Sequence, residues 1–117
     1  MKDKKMQYEI PSWARVDAVP ALQEISFVHF HREVEGHRKL AATMAWTLDP
    51  RTQAPVSTYA FVSREDQGEK SVGRQLAGDR LARFLSFGRS DGKVSEFSSE
   101  KALWNTVAAQ KVSFLTS

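Results

Sequence analysis

The 117-residue chain contains no cysteine, only four prolines and six glycines, and no long hydrophobic run. The absence of cysteine excludes a disulfide framework and a thiolate zinc site, and it is typical of proteins from a reducing compartment. No apolar stretch approaches the roughly 20 residues that cross a bilayer, and the lysine-rich start lacks the apolar segment of a secretory signal. We therefore expect a cytoplasmic protein without a membrane partner.

What the chain does contain is the ordinary composition of one globular domain. Hydrophobic residues make up 41% of it and charged residues 26%. At this length the chain can build a single core with two packed layers, but no second domain. Residues 1–9 are polar and rich in lysine, so we expect a flexible N-terminal tail there. Residues 10–117 are predicted to form the single domain.

Three segments have the pattern of neighbouring β-strands. Residues 24–34 are rich in β-branched and aromatic side chains, and residues 37–48 alternate between apolar and polar positions, as strands do. Glu35 and Gly36 between them suit a two-residue hairpin turn. Residues 56–63 are predicted to continue this meander as a third strand.

The hairpin register decides which face of the sheet is open for binding. With a two-residue loop, Phe27 lies opposite Met44 and their face is the core side, which also carries His29 and His31. The other face then exposes an aromatic ring beside basic side chains, an arrangement that can stack on bases, or an apolar patch that can serve as a dimer or partner interface. Alternatively, the N-terminal segment or the last helix covers Phe30. The residues of this face are Val28, Phe30, Arg32 and Lys39.

Two helices are predicted after the meander. The first covers residues 67–87, with Asp66 as N-cap and Glu69 in the capping-box position, and it ends at Gly88. The second covers residues 98–112. The expected fold class is therefore α+β, an antiparallel three-stranded meander packed against a long helix, with a second helix at the C-terminus.

Arg80 falls in the middle of the face that the long helix turns toward the sheet. At 100° per residue its neighbours on that face are apolar or small. A guanidinium cannot lose its proton, so it needs a partner in such surroundings. We interpret Arg80 as structural rather than as a catalytic or phosphate-binding residue. It is expected to form an ion pair with Asp66, with Glu65, Glu24 and Glu33 as further candidates, or to bond to loop carbonyls. The neighbours are Gly73, Leu76, Ala77, Phe84 and Phe87.

Positive charge is concentrated in the long helix and the loop that follows it. Residues 70–93 contain six basic and two acidic side chains, a surplus of four, whereas the whole chain has a net charge of +3. Such a surface attracts phosphate backbones or an acidic protein, although a merely solvated helix face has the same composition. The residues assigned to nucleic-acid binding are Lys70, Arg74, Arg83, Arg89 and Lys93, together with Arg32, Lys39 and Phe30 on the sheet.

No pattern in the chain indicates catalysis. There is no cysteine nucleophile and no serine in an elbow motif, and the glycines of residues 88–93 lack the spacing of a phosphate-binding loop. His29 and His31 form an H-x-H pair with metal-ligand spacing, and Glu33 is a candidate third ligand. Histidines on a half-buried strand more often pack and form hydrogen bonds. We therefore predict no enzyme, no metal site and no cofactor.

Residues 62–81 also resemble a motif of small uncharacterised proteins carried by phages and plasmids. The shared pattern is S-x-x-D at 63–66, a basic residue at 70 and G-R-x-x-A-x-x-R-L at 73–81. The resemblance covers about twenty residues and implies a mobile-element origin and a strand–loop–helix unit, but no activity. A meander followed by a basic helix is also similar to a double-stranded RNA-binding domain, which would imply phosphate contacts by Lys70 and Arg74.

These features predict a small non-enzymatic accessory protein of a mobile genetic element that binds nucleic acid through its basic helix and loop. The alternative is a protein-binding module, such as an inhibitor of a host defence or replication component. This module would use the exposed sheet face or form a homodimer through it. The two hypotheses differ in the surface that is used and in the salt dependence of binding.

Overall fold

The computed structural model describes residues 8–63 and 68–116, which form an α+β fold around one antiparallel sheet. The strands follow one another in the order β1-β2-β3-β4. The α+β class and the antiparallel meander are therefore confirmed, and within these described ranges the sheet has four strands rather than three. After a 3-10 turn at Val16–Ala18 the elements are α1 (Val19–Gln23), β1 (Ser26–Val34), β2 (His37–Leu48), β3 (Pro55–Phe61), α2 (Lys70–Phe87), β4 (Val94–Glu96) and α3 (Glu100–Thr116).

The β1–β2 hairpin contains a β-bulge that changes its register. His31 pairs with Leu40 as predicted, but Phe30 pairs with Ala42, so that Ala41 is an extra residue in β2. From the bulge to the start of β1 every pair is displaced by one residue from the predicted register. Because successive side chains of a strand point to opposite faces, this displacement moves the apolar residues of β2 to the face of Phe30.

The displaced register gives the sheet two buried faces instead of one. Phe30 is fully buried and Val28 is only 9% exposed, because α3 packs over their face. The prediction of an open face with exposed Val28 and Phe30 is therefore wrong. The core under α2 and the N-terminal segment includes Leu22, Ala45, Val56, Ala60, Leu81 and Leu85. The core under α3 includes Phe30, Met44, Trp46, Tyr59, Leu103 and Val107.

Helix α2 begins later than predicted and ends where predicted. Its N-cap is Glu69 in an extended conformation, without a side-chain cap bond; the predicted cap Asp66 lies outside the described residues. At the C-terminus Gly88 is left-handed, with φ 80°, and its N–H donates to the carbonyl of Phe84, as glycine does at a helix end. Helix α3 runs on to Thr116, four residues beyond the predicted end.

Small side chains set the side on which α2 meets the sheet. Leu76 and Phe87, predicted to be in the core, are 40% and 56% exposed. A Cβ at Gly73 would collide with the Thr43 side chain, so the helix lies closer to the sheet than larger residues allow. Because the helix and the sheet are so close, α2 turns its side with small residues toward the sheet, and Leu76 and Phe87 lie on the side that faces away. The buried residues of α2 are Gly73, Ala77, Gly78, Leu81, Ala82, Leu85 and Ser86.

The first described residues belong to the folded body rather than to the predicted tail. Tyr8 is 3% exposed and its hydroxyl donates to Asp79 Oδ1 at 2.8 Å. Burial and this carboxylate both raise the pKa of Tyr8. The Glu9 carbonyl accepts a bond from Gln75 Nε2 at 3.0 Å. The remainder of the predicted tail, residues 1–7, lies outside the described residues.

Candidate anion-binding site

The basic residues assigned from the sequence divide between the two ends of α2. Lys70 and Arg74 lie in its first two turns, whereas Arg83 lies near its C-terminal end and Arg89 and Lys93 lie in the loop that follows. An 18-residue helix is about 27 Å long at roughly 1.5 Å per residue. Arg74 and Arg83, the nearest members of the two groups, are nine residues or about 13 Å apart along the helix axis, so the two groups form separate surfaces.

At the C-terminal end of α2 the positive charge is partly neutralised. Arg83 Nη1 lies 3.2 Å from Asp91 Oδ2, and the Arg83 guanidinium also stands 5.5 Å from the centre of the Trp13 ring, a cation–π distance. Arg89 lines an open depression beside both members of this ion pair, and Lys93 is exposed. This end of the helix is thus a mixed surface with a carboxylate in its middle.

At the other end, basic side chains from separate elements surround an open pocket of about 250 Å³ beside β1, an edge strand of the sheet. β1 contributes His29 and His31, β2 contributes Arg38, and α3 contributes Lys111 and Leu115. We call this cavity the β1-edge pocket. No carboxylate is found among the described residues that line it.

Lys70 and Arg74 of α2 add their charge to the β1-edge pocket. The pKa of His29 is lowered to about 4, first by burial and then by Lys70 and Arg74. The pKa of His31 is lowered by burial and then by the neighbouring cations, including Lys70 and Lys111. Both histidines are therefore neutral at pH 7, and the surrounding charges that act on them are positive.

Thr43 holds the His29 ring in place. Its hydroxyl oxygen lies 3.0 Å from His29 Nδ1, and Thr43 itself is fully buried beneath Gly73 of α2. Because the Thr43 hydroxyl occupies Nδ1, Nε2 is the nitrogen that remains for a ligand. The orientation of the imidazole is thus fixed by a hydrogen bond to a buried side chain of the neighbouring strand.

The H-x-H pair lies among cations in the structure. Within residues 8–63 and 68–116, no group of three or more histidine, cysteine, aspartate or glutamate side chains is placed to hold a metal ion. The cations beside His29 and His31 would also repel a metal ion. The arrangement is suited to an anion.

Arg80 anchors α2 to the edge of the sheet. Its Nη1 donates to the carbonyl of Tyr59 at 2.6 Å, and Gly92 of the following loop packs beside its stem. β4 pairs with β3 only as far as Thr58, so Arg80 supplies a donor at the next residue of β3. The observed bond is to a strand carbonyl, and the predicted ionic partner Asp66 lies outside the described residues.

The three sheet residues assigned to nucleic-acid binding do not line the β1-edge pocket. Phe30 is buried against Phe114 of α3, with ring centres 5.3 Å apart, so its assignment as a stacking residue is wrong. Arg32 Nη2 donates to the Val62 carbonyl at 3.3 Å. Lys39 is half-buried opposite Arg32. The guanidinium of Arg32 thus bonds the hairpin to the end of β3.

Sequence reasoning misses two of the basic residues in this pocket. Arg38 and Lys111 lie on β2 and α3, far apart in the chain, and no local pattern indicates that the end of α3 returns to the edge of β1. His29 and His31 are noticed only as possible metal ligands. The signal that could have found the site is the H-x-H pair near a basic helix start, but it depends on the packing of α3.

No protein-family model, no curated protein and no solved structure matches this chain. In the described part of the chain, none of the helices combines the length and the apolar character needed to span a membrane. The geometry of the β1-edge pocket is therefore the basis for assigning a function.

Proposed function

We propose that the protein binds nucleic acid through its phosphates, using the β1-edge pocket and the start of α2. The supporting observation is the convergence of basic side chains from β1, β2, α2 and α3 around one open pocket. Its described lining holds no carboxylate. Phosphate groups are attracted to such a surface, and their binding is strong at low salt. The residues are Arg38, Lys70, Arg74 and Lys111, with His29 and His31.

The proposed binding surface includes some of the basic residues assigned from the sequence, but its centre is the β1-edge pocket rather than the C-terminal end of α2. Lys70 and Arg74 remain, and Arg38 and Lys111 replace the more distant basic residues. Arg83 is matched by Asp91, so this end of α2 contributes less to anion binding. The role is that of a non-enzymatic accessory protein. Its origin in a mobile element is supported by the resemblance of residues 62–81 and is part of the proposal.

A protein-binding module is the second candidate, and it requires a different surface from the one first assigned. Val28 and Phe30 are covered by α3, but Phe61 of β3 is 64% exposed, and its ring centre lies 6.5 Å from that of Phe114. An exposed aromatic next to the apolar outer side of α3 is typical of an interaction surface. A host protein or a second copy of this chain would bind there.

Salt-dependent binding tests the nucleic-acid proposal. We expect mixed-sequence oligonucleotides to bind the full chain in fluorescence anisotropy, with affinity falling steeply between about 50 mM and about 200 mM salt. Lys111→Gln and Arg38→Gln should each weaken binding and reduce the salt slope by about one. Lys101→Gln, an exposed lysine on the same helix as Lys111, is the matched control and should have little effect.

Two results would count against the proposal. One is the absence of binding at low salt, and the other is an equal loss of affinity for Lys101→Gln and Lys111→Gln. Phe61→Glu separates the second candidate, because it should abolish self-association or capture of a protein partner. The same substitution should leave nucleic-acid affinity nearly unchanged, since Phe61 does not line the β1-edge pocket.

A further inference from the structure

We propose that the β1-edge pocket selects a phosphate monoester, the dianionic group at the end of a nucleic-acid strand or on a free nucleotide, over an internal phosphodiester. This inference rests on the proposed function and names the group that the pocket recognises. It makes the protein a reader of phosphorylated ends rather than of the continuous backbone.

The first argument is the distribution of charge around the pocket. An internal phosphodiester carries one negative charge, and successive phosphates are spread along the strand, so a row of cations suits them. Here Arg38, His31 and Lys111 come from three different elements and line one cavity of about 250 Å³. Such convergence suits a compact group with a charge of about −1.5 to −2, which is the charge of a phosphate monoester near pH 7.

The second argument is the number and type of donors. Arg38 offers a charged planar fork and Lys111 an ammonium group, both suited to phosphate oxygens. His29 and His31 each offer a ring nitrogen, and Thr43 already holds Nδ1 of His29. A monoester presents three free oxygens, whereas a phosphodiester presents two. A monoester can therefore accept hydrogen bonds from donors on all three elements, whereas a phosphodiester has one free oxygen fewer to accept them.

The third argument is the response of the histidines to a bound anion. Burial and the nearby cations keep both rings neutral in the free protein. A dianion in the pocket opposes the effect of these cations and favours protonation of His29 or His31, which adds a charged donor. At about pH 7.5, where the monoester with its second pKa of about 6 is already dianionic, binding should therefore take up protons. The other groups facing or flanking the rings are Thr43 and Arg38 of β2, Lys70 and Arg74 of α2, Lys111 of α3, and Glu33 of β1, which lies opposite Arg38.

The test compares ligands that differ only in the terminal group. One oligonucleotide is prepared with a 5′-phosphate, with a 3′-phosphate and with hydroxyl groups at both ends, and a nucleoside monophosphate and inorganic phosphate are measured separately. We expect the phosphorylated oligonucleotides to bind the full chain about tenfold or more tightly than the unphosphorylated one, because charged hydrogen bonds are lost with the terminal group. Calorimetry in two buffers should show proton uptake that is larger for the phosphorylated strands.

Variants link this preference to the pocket. His31→Gln and Lys111→Gln should reduce the preference to less than about threefold, whereas Lys101→Gln should retain it. Glu33→Gln should strengthen monoester binding, since it removes a negative charge from the residue that pairs with Arg38 across the hairpin. Unchanged melting temperatures show that a loss of preference is not a loss of fold.

The outcomes separate this inference from the proposed function. Equal, salt-sensitive binding of phosphorylated and unphosphorylated strands overturns the monoester pocket and supports the nucleic-acid proposal. Binding of the nucleoside monophosphate or inorganic phosphate, without binding of any oligonucleotide, supports the monoester pocket and overturns the nucleic-acid proposal. Binding of none of these ligands overturns both.

Discussion

The hydroxyl of Thr43 lies 3.0 Å from Nδ1 of His29, and the same side chain lies directly beneath Gly73 of α2. A Cβ on Gly73 would collide with the Thr43 side chain. One buried residue of β2 therefore limits how closely α2 can approach the sheet, and it also orients the imidazole of His29 in the candidate site. The geometry of the β1-edge pocket depends on this contact.

Gly73→Ala should destabilise the protein by about 1–3 kcal/mol, because the added methyl group overpacks the contact with Thr43. At an exposed helical position the same change stabilises by roughly 0.5–1 kcal/mol. The sign of the change in unfolding free energy therefore shows whether the Cβ meets Thr43. Ser71→Ala, an exposed position in the same helix, should change stability by less than about 0.5 kcal/mol. Urea denaturation measures all three proteins, and a stabilising Gly73→Ala would contradict the close approach.

Arg80→Met should lower the free energy of unfolding by about 1–3 kcal/mol, since it leaves the Tyr59 carbonyl without its charged donor while it keeps the aliphatic stem. Arg83→Met removes an exposed ion pair with Asp91 and a cation–π contact with Trp13, and these two surface contacts should together cost only about 1 kcal/mol. Thermal and urea unfolding of the two variants can be compared directly. Equal losses would show that the Arg80 bond contributes no more than a surface contact.

Phe30→Ala should cost about 3–5 kcal/mol, because it opens a cavity in the core under α3. Phe61 lies on the same face of the sheet, two strands away from Phe30, but it is 64% exposed. Phe61→Ala should therefore cost about 1 kcal/mol or less. Chemical denaturation of both variants measures the difference. If the two phenylalanines cost the same, α3 does not cover the sheet as described.

His29 should titrate near pH 4 in the folded protein, far below the value of about 6.5 in an unfolded chain. Between these two pH values His29 is protonated in the unfolded state but not in the folded state. The free energy of unfolding therefore rises with pH through this window. The contribution is fully present above about pH 6.5 and is lost as the pH falls toward 4. NMR titration of His29 measures the pKa, and His29→Gln should flatten the pH dependence of unfolding between these limits.

A charge substitution isolates the electrostatic part of this shift. Lys70→Gln should raise the pKa of His29, because Lys70 is one of the cations that lower it. Lys101→Gln, on α3, should leave it unchanged. A His29 pKa that is insensitive to Lys70→Gln would mean that the Lys70 ammonium does not act on the imidazole, and it would weaken the case for Lys70 as part of the β1-edge pocket.

Local patterns in the sequence determine the α+β class, the hairpin turn and the end of α2. Glu35 and Gly36 both have positive φ, 52° and 82°, as a two-residue hairpin turn requires, and Gly88 ends the helix in the left-handed conformation. These features depend on the backbone preferences of a few adjacent residues. They could therefore be predicted without knowing how the elements pack.

Tertiary structure alone decided which surfaces are buried and where the basic residues meet. The extra residue Ala41 displaces the register, and α3 then covers Phe30, which alternation along one strand cannot reveal. Arg38 and Lys111 approach each other only because α3 packs across the sheet and ends beside β1. Burial and charge convergence depend on contacts between segments distant in the chain, whereas sequence periodicity reports only on neighbours within one element.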